Sequence, residues 1–167
     1  TDPSVPSQAP DRQRVAAALA ATHRTTVVAG GPGTGKTHTV ARILALLTAL
    51  HGPGVRIGLA APTGKAAARL QESVRDQAAE LGLAPDITAM TLHRMLGWQR
   101  GRTRFRYHAG NHLPFDAIVV DETSMVSLTM MSCLLEAVRP DARLVLVGDP
   151  DQLTSVDAGA VLADLVA

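Results

Sequence analysis

The glycine-rich stretch at residues 30–37, GGPGTGKT, limits the fold of this 167-residue chain more than any other feature. It matches the pattern Gly-x-x-x-x-Gly-Lys-Ser/Thr at every fixed position. The apolar and β-branched residues 25–29 before it predict a buried strand, and residues 39–50 after it predict a helix. In that arrangement successive backbone N–H groups and a helix N-terminus point at one phosphate group. A glycine-rich turn with a chance lysine is the alternative, but it explains neither the strand nor the helix.

The same stretch predicts which side chains would contact a nucleotide. The Lys36 ammonium would reach the β- and γ-phosphates, and the Thr37 hydroxyl would ligate Mg²⁺. The predicted nucleotide-binding residues of this segment are Gly31, Pro32, Gly33, Thr34, Gly35, Lys36, Thr37 and His38.

Further apolar runs at residues 55–61, 117–120 and 144–147 predict buried strands, and helical patterns lie between the strands. Because continuous apolar strands alternate with helices, the sequence predicts an α/β fold, a parallel β-sheet with helices on both faces. The predicted helices cover residues 12–23, 39–50, 65–81, 92–96 and 128–138, and a further helix is predicted to start within residues 159–167. In such folds ligands bind at the carboxyl ends of the strands. The candidate motifs follow four of these ends, at Gly30, Ala61, Asp121 and Gly148.

Two acidic residues, Asp121 and Glu122, follow the strand at 117–120. In this position an aspartate can hold Mg²⁺ through its water shell, and a glutamate can activate the attacking water. Mg²⁺ keeps several waters and takes few carboxylates, so one aspartate and one threonine hydroxyl suffice. Alone, an Asp-Glu pair after a strand is often a solvated turn, but downstream of a phosphate loop we interpret it as the catalytic pair.

Two other strand ends carry polar residues whose interpretation stays open on physical grounds. Gln152 could direct its amide at the γ-phosphate or at a water, or it could lie in a polar turn. Thr63 and Lys65 open the helix after Ala61, where they could bind a phosphate of a nucleic-acid backbone. An ordinary capped helix fits these two residues equally well.

Arginines occupy every second position from Arg100 to Arg106 and alternate with small or aromatic residues up to His108. This period of two predicts a strand with one basic face and one partly aromatic face. The basic face could follow a DNA backbone, although a solvated strand face is the simpler interpretation. Aromatic residues make up 2% of the chain, which argues against extensive stacking on bases.

The composition limits the class of protein. No apolar run reaches the length of a membrane span, and the polar, proline-rich residues 1–14 do not predict a signal peptide. The net charge of +1 gives no global attraction to nucleic acid, so such binding must be local. Cys133, the only cysteine, lies in an apolar helical stretch and is predicted to be a packing residue. We expect a cytoplasmic protein.

Together these motifs resemble the RecD family of superfamily 1 DNA helicases. The stretches at 30–37 and 61–70 (APTGKAAARL) are similar to helicase motifs I and Ia. Those at 119–126 (VVDETSMV) and 146–165 are similar to motifs II and III, and residues 91–97 (TLHRMLG) match a stretch typical of the family between motifs Ia and II. Motif I is shared by many nucleotide-hydrolysing enzymes, whereas the APTGKAA and GDPDQLTSV stretches are much more specific to this family.

The resemblance implies a role for each motif residue. The implied catalytic residues are Lys36, Asp121, Glu122 and Gln152, and the implied Mg²⁺ ligands are Thr37 and Asp121. Gln13 would recognise the adenine of ATP, and Gln152 would couple the γ-phosphate to DNA. The implied contacts to single-stranded DNA are Pro62, Thr63, Gly64, Lys65 and His93. Thr123 is a departure, because many members have alanine there, and we expect it to change little.

The resemblance also implies a domain organisation and a function. Residues 1–10 hold three prolines and few large apolar residues, so their composition predicts a linker. The resemblance implies that residues 11–167 are a RecA-like ATP-binding domain of a longer protein whose second motor domain is absent. The parent would be an ATP-dependent 5′-to-3′ DNA helicase of recombination and double-strand break repair. It would act alone or with the other two subunits of exodeoxyribonuclease V. Without an arginine finger from the second domain, we expect this piece to bind ATP but hydrolyse it slowly.

Two alternatives stay open. One is another P-loop ATPase of DNA metabolism, such as a clamp-loader-like machine, against which Gln152 and the APTGKAA stretch argue. The other is a non-catalytic, nucleotide-gated DNA-binding module of a larger complex. A Glu122→Gln change separates this module from a helicase, because only a helicase should lose turnover while keeping its affinity for ATP.

Overall fold

The computed structural model describes residues 24–29, 35–83 and 86–149. Its strands are β1 (Thr25–Ala29), β2 (Ile57–Ala61), β3 (Ala89–Thr91), β4 (Ala117–Val120) and β5 (Arg143–Gly148). They form one sheet in the order β1-β5-β4-β2-β3, in which all neighbouring strands are parallel. The predicted parallel sheet is therefore confirmed. The predicted linker at 1–10 and the predicted helices at 12–23 and 159–167 lie outside the described residues.

Helices cover both faces of this sheet, as the sequence predicts. They are α1 (Lys36–His51), α2 (Gly64–Leu81), α3 (Leu92–Met95) and α4 (Leu128–Ala137), with a 3-10 helix at Thr123–Met125. Successive strand residues face opposite sides of a sheet. In β4, Val119 belongs to the apolar cluster that contains α1 and α2 side chains, whereas Ile118 and Val120 belong to the cluster with α3 and α4. All four residues of β4, which lies in the middle of the sheet, are buried.

The edge strand β3 is not predicted by the sequence, because three residues are too few to show a period. It pairs with the end of β2, from Leu59 opposite Ala89 to Ala61 opposite Thr91. The Gln71 side chain of α2 binds the segment that leads into β3. Its Nε2 donates to the Ile87 carbonyl (2.9 Å), and its Oε1 accepts from the N–H of Ala89. Two neighbouring elements thus hold β3 in place.

The strand predicted over residues 100–108 is wrong, because this segment consists of turns, bends and irregular chain, with one isolated antiparallel bridge between His108 and Asn111. Its main-chain groups bond back to the end of α3. The Arg106 N–H donates to the Gly97 carbonyl (3.2 Å), and the Tyr107 N–H donates to the Leu96 carbonyl (3.1 Å). Gly97 permits this return because its φ of 74° lies in the left-handed region. No described strand lies alongside to supply ladder hydrogen bonds, so the alternating arginines occupy an exposed loop.

Two smaller expectations concern packing and membranes. Cys133 is partly buried in α4 and packs against the apolar cluster on that face of the sheet, which confirms it as a packing residue. None of the helices in the described part of the chain has the length and hydropathy needed to cross a membrane.

Candidate nucleotide-binding site

The candidate site lies at the edge of the sheet where the strands end. Because all the strands are parallel, the ends of β1, β2, β4 and β5 share this edge. Helix α1 begins here at Lys36, directly after Gly35. Gly35 has φ 75° and ψ 27°, a left-handed conformation that glycine adopts without steric cost. Its carbonyl accepts hydrogen bonds from the Thr39 N–H (3.1 Å) and the Thr39 hydroxyl (3.2 Å), which closes the first turn of α1.

The start of α1 is suited to binding an anion. Among the described residues no side chain caps this end, and the first turn holds no acidic residue. The first N–H groups of a helix have no partner within the helix, and the helix dipole is positive at this end. The backbone here and the Lys36 side chain therefore offer positive potential at the sheet edge.

Asp121 lies at the same edge, where two hydrogen bonds fix its position. Its N–H donates to the Ala60 carbonyl of β2 (2.9 Å), and its Oδ1 accepts from the N–H of Glu122 (2.8 Å). Burial raises the pKa of Asp121, and the hydrogen bond from Glu122 opposes this rise. The negative charge of Glu122 raises the pKa further, whereas the Lys36 ammonium lowers it. Lys36 and Asp121 thus lie within electrostatic reach of each other.

Glu122 has a left-handed backbone, with φ 52° and ψ 42°. It is the one non-glycine residue with positive φ in the described part of the chain. Such a conformation costs an L-residue about 1–2 kcal/mol and persists only where its neighbours fix it. The N–H of Glu122 donates to Asp121, and its carbonyl accepts from the Met125 N–H (3.0 Å). The left-handed Glu122 thus leads the chain from the end of β4 into the 3-10 helix at Thr123–Met125.

Thr123 anchors this turn to the neighbouring strand. It is buried, with 1% of its surface exposed, and its hydroxyl donates to the Val147 carbonyl of β5 (3.0 Å). No sequence pattern indicates this contact. In the sequence, Thr123 only replaces the alanine that many members of the resembled family have beside the acidic pair. The adjacent Ser124 is equally buried, but its hydroxyl has no hydrogen-bond partner among the described residues.

Residues that were predicted to contact DNA lie at the start of α2, at the same edge. Thr63 is the N-cap of α2, and its Oγ1 accepts from the Ala66 N–H (3.2 Å), so the capped-helix interpretation of Thr63 is correct. Its O–H can still donate to a phosphate, because a hydroxyl both donates and accepts. Gly64 and Lys65 are exposed in the first turn of α2.

Pro62 and His93, which are distant in sequence, line one cavity of about 150 Å³ beside the 3-10 helix. The other residues that line this cavity are Leu92, Met125, Val126, Ser127 and Met130. The His93 ring lies edge-on to Phe105, with 6.0 Å between the ring centroids. The fold therefore brings the two motif stretches at 61–70 and 91–97 together next to the turn after Glu122.

Several predicted site residues lie outside the described part of the chain. They are Gln13, Gly31, Pro32, Gly33, Thr34 and Gln152. The side chain of Thr37 is also outside the description, although its backbone belongs to the first turn of α1. His38, one residue further along, is exposed.

Asp149 is a further residue of this edge to which we assigned no role from the sequence. It directly follows β5 and is buried, with 4% of its surface exposed. A buried carboxylate needs hydrogen bonds or a counter-charge, so its position is not that of a solvated turn. Its place after a buried strand is the signal that could have indicated it, the same signal that indicated Asp121.

A parallel sheet between helices, with a glycine-led helix start at Lys36 and an acidic pair at the end of β4, defines a RecA-like nucleotide-binding domain. The chain belongs to the AAA domain family, whose model matches residues 13–158.

Curated relatives confirm the resemblance to RecD. The chain is 63% identical to "RecBCD enzyme subunit RecD" of Mycolicibacterium smegmatis over 93% of its own length and 30% of that protein. It is 61% identical to the RecD subunit of Mycobacterium tuberculosis over 93% of its length and 28% of that protein. It is 45% identical to "ATP-dependent RecD2 DNA helicase" of Deinococcus radiodurans over 86% of its length and 18% of that protein. The chain thus spans less than a third of each of these relatives.

Solved structures support the fold. The large terminase of bacteriophage HK97 superposes with a TM-score of 0.60 and 16% identity, over 95% of this chain and 36% of that one. A Saccharomyces cerevisiae Dbp5 structure that contains ADP superposes with a TM-score of 0.55 and 19% identity, over 95% of this chain and 46% of that one. At these identities the likeness concerns the fold alone.

Proposed function

We propose that this chain is the first motor domain of an ATP-dependent 5′-to-3′ DNA helicase of the RecD type, acting in DNA recombination and double-strand break repair. The observation that carries the proposal is the position of Lys36, at the start of α1, and of Asp121, at the end of β4, on the same carboxyl edge of a RecA-like sheet. The 45% identity to a protein named as an ATP-dependent RecD2 DNA helicase, across 86% of the chain, supports DNA as the substrate.

In the proposed reaction each residue of the edge has a separate task. The backbone N–H groups at the start of α1 and the Lys36 ammonium bind the phosphates of ATP, and Gln13 contacts the adenine. Glu122 accepts a proton from the water that attacks the γ-phosphate. Gln152 contacts the γ-phosphate and couples it to the DNA-binding surface.

Thr37 and Asp121 are proposed to hold Mg²⁺, which would neutralise charge on the phosphates when bound. Asp121 fits this role because burial raises its pKa, so that a cation near its carboxylate would compensate the cost of desolvation. The charge of Lys36 alone leaves that cost incompletely offset.

The surface for single-stranded DNA is proposed to run from the start of α2 to α3, through Pro62, Thr63, Gly64, Lys65 and His93. The exposed Lys65 and the Thr63 hydroxyl would bind phosphates, and the cavity between Pro62 and His93 lies next to them. We propose that the whole protein acts in the cytoplasm, alone or with two further subunits of exodeoxyribonuclease V. An arginine finger from a second motor domain would stabilise the transition state of ATP hydrolysis. The 167 residues alone should therefore hydrolyse ATP slowly.

Mg-ATP binding and ATP turnover, each with and without single-stranded DNA, test this function in the full-length wild-type protein and in its Glu122→Gln variant. The variant should bind ATP within about twofold of the wild type, because its phosphate-binding groups are unchanged. Its turnover should fall at least about a hundredfold, as expected for a lost general base. Equal turnover in the two proteins would contradict the role of Glu122, and a wild type that binds ATP and DNA without turnover would favour the nucleotide-gated module.

A further inference from the structure

We propose that Thr123 is a positioning residue that couples the carboxylate pair Asp121-Glu122 to the end of β5, from which the chain continues towards Gln152. This role rests on the proposed function, because it concerns the hydrolysis step assigned to Glu122. The observation behind it is the buried hydrogen bond from the Thr123 hydroxyl to the Val147 carbonyl.

The carbonyl that Thr123 contacts is directed towards β4. Along β5, the Arg143 N–H donates to the Asp116 carbonyl just before β4, and the next N–H, of Leu144, donates to the Arg24 carbonyl just before β1. Main-chain groups of successive strand residues point to opposite neighbours. Val147 lies four residues after Arg143, so its carbonyl faces the β4 side.

The sheet register shows which donor is replaced there. Val120, the last residue of β4, is the register partner of Leu146. If the parallel ladder continued for one more step, the Glu122 N–H would donate to the Val147 carbonyl. The Glu122 N–H instead donates to Asp121 Oδ1, and the Thr123 hydroxyl takes its place on β5.

This exchange of donors holds the carboxylate pair in its observed arrangement. It leaves the Glu122 N–H available to Asp121 Oδ1, which fixes the orientation of that carboxylate. It also satisfies the Val147 carbonyl, whose burial without a partner would be costly. Glu122 can therefore adopt its left-handed backbone between two fixed residues, Asp121 on one side and Thr123 on the other.

The Thr123 hydroxyl should therefore affect hydrolysis rather than nucleotide affinity. The proposed phosphate-binding groups belong to the start of α1 and to the residues before it in the sequence, whereas Thr123 joins the end of β4 to the end of β5. Loss of the hydrogen bond would allow Glu122 to move relative to the attacking water, and small misplacements of reacting groups lower rates strongly.

Two matched pairs of side chains isolate the hydroxyl. Threonine and valine at position 123 have the same shape, and serine and alanine differ by the hydroxyl alone. The measurement is steady-state, DNA-stimulated ATP hydrolysis by the full-length protein, together with the Kd for Mg-ATP and the Tm of each variant. Thr48→Val is the control, because the Thr48 hydroxyl also donates to a main-chain carbonyl, that of Leu44 (2.9 Å), within α1.

Thr123→Val and Thr123→Ala should lower kcat about three- to tenfold, the range expected from one neutral hydrogen bond, with Kd changed less than about twofold. Thr123→Ser should retain most of the kcat, and Thr48→Val should behave as the wild type. If valine does not fold at this position, the serine and alanine pair gives the same comparison. Equal kcat in the serine and alanine variants, or a loss confined to Kd, would overturn the coupling role. A wild type without turnover would overturn the proposed function itself, and the coupling with it.

Discussion

The Arg139 guanidinium donates a hydrogen bond to the Asp116 carboxylate, with 2.7 Å between Nη2 and Oδ1, at the edge of the sheet opposite the candidate site. The second carboxylate oxygen of Asp116 accepts from the Arg56 N–H (2.9 Å). Asp116 directly precedes β4, Arg56 directly precedes β2, and Arg139 lies in the connection between α4 and β5. One carboxylate therefore joins the starts of two strands to the connection between α4 and β5. The Arg56 N–H, followed by the Arg139 guanidinium, lowers the pKa of Asp116 from 3.8 to about 2.

Asp116→Asn should destabilise the protein at neutral pH by about 1 kcal/mol, a value reduced for solvent screening because the Asp116 side chain is 37% exposed. The folded-state pKa lies below the unfolded one, so this stabilisation is present above about pH 4 and is lost as the pH falls towards 2. Urea unfolding at several pH values checks this. The wild type and the Asp116→Asn variant should converge in acid, and the exposed Asp76→Asn in α2 is the control.

Gly58→Ala should destabilise the fold by about 1–3 kcal/mol through overpacking. A Cβ on Gly58 in β2 would lie 2.8 Å from Phe115 Cδ2 and 2.9 Å from Met95 Cε. Gly54→Ala is the matched control, because a Cβ there meets nothing within 4 Å. Thermal unfolding of both variants measures the difference, and equal Tm values would contradict the tight packing at Gly58.

The chain has two lysines, Lys36 and Lys65, and their alanine variants should separate the two proposed binding surfaces. Lys36→Ala should weaken Mg-ATP binding about ten- to hundredfold, because it removes a charge-assisted phosphate contact worth about 1.5–3 kcal/mol. Lys65→Ala should keep the ATP affinity and weaken binding of single-stranded DNA. Calorimetry with Mg-ATP and fluorescence anisotropy with labelled DNA measure the two affinities. Unchanged ATP affinity in Lys36→Ala would reject the phosphate-loop assignment.

Ser124→Ala should leave the free energy of unfolding unchanged or raise it by up to about 1 kcal/mol. The Ser124 hydroxyl is buried without a hydrogen-bond partner among the described residues, and burying it in this way destabilises the fold. The alanine variant no longer carries that cost. Thr123→Ala, one residue earlier, should instead lower the free energy of unfolding, because it removes the bond to Val147. Urea unfolding of the two variants gives the comparison, and a clear loss in Ser124→Ala would show that its hydroxyl has a partner.

Four of the five strands could be predicted from the sequence because β1, β2, β4 and β5 are runs of apolar or β-branched residues. Nearly all residues of β2, β4 and β5 are buried, and that requirement is visible in the residues themselves. In β1 only Val28 is buried among the residues whose burial the structure describes, so this strand is less buried than the sequence predicts. The short β3 could not be predicted, because its strand conformation depends on β2 and on the side chain of Gln71. The strand predicted at 100–108 is wrong for a related reason. An alternating pattern shows that a segment is compatible with a strand, but it does not show whether a neighbouring strand is there to pair with it.

At the candidate site, the approximate positions of Lys36 and Asp121 could be predicted because a parallel sheet brings all strand ends to one edge. The left-handed Glu122 and the bond from Thr123 to Val147 could not be predicted in this way. Both depend on β4 ending before its neighbour β5, and a difference in strand length of one or two residues has no signature in local sequence.

The Gln71 side chain occupies main-chain hydrogen-bonding groups at the β3 edge of the sheet. The carbonyl of Ile87 and the N–H of Ala89 are the two main-chain groups that an added parallel strand would use at this point. Both are bound to one side-chain amide, which has the same donor and acceptor as a peptide group. A second molecule that approached this edge would have to displace the amide before it could extend the sheet. The glutamine therefore acts as a built-in barrier to intermolecular strand addition and aggregation.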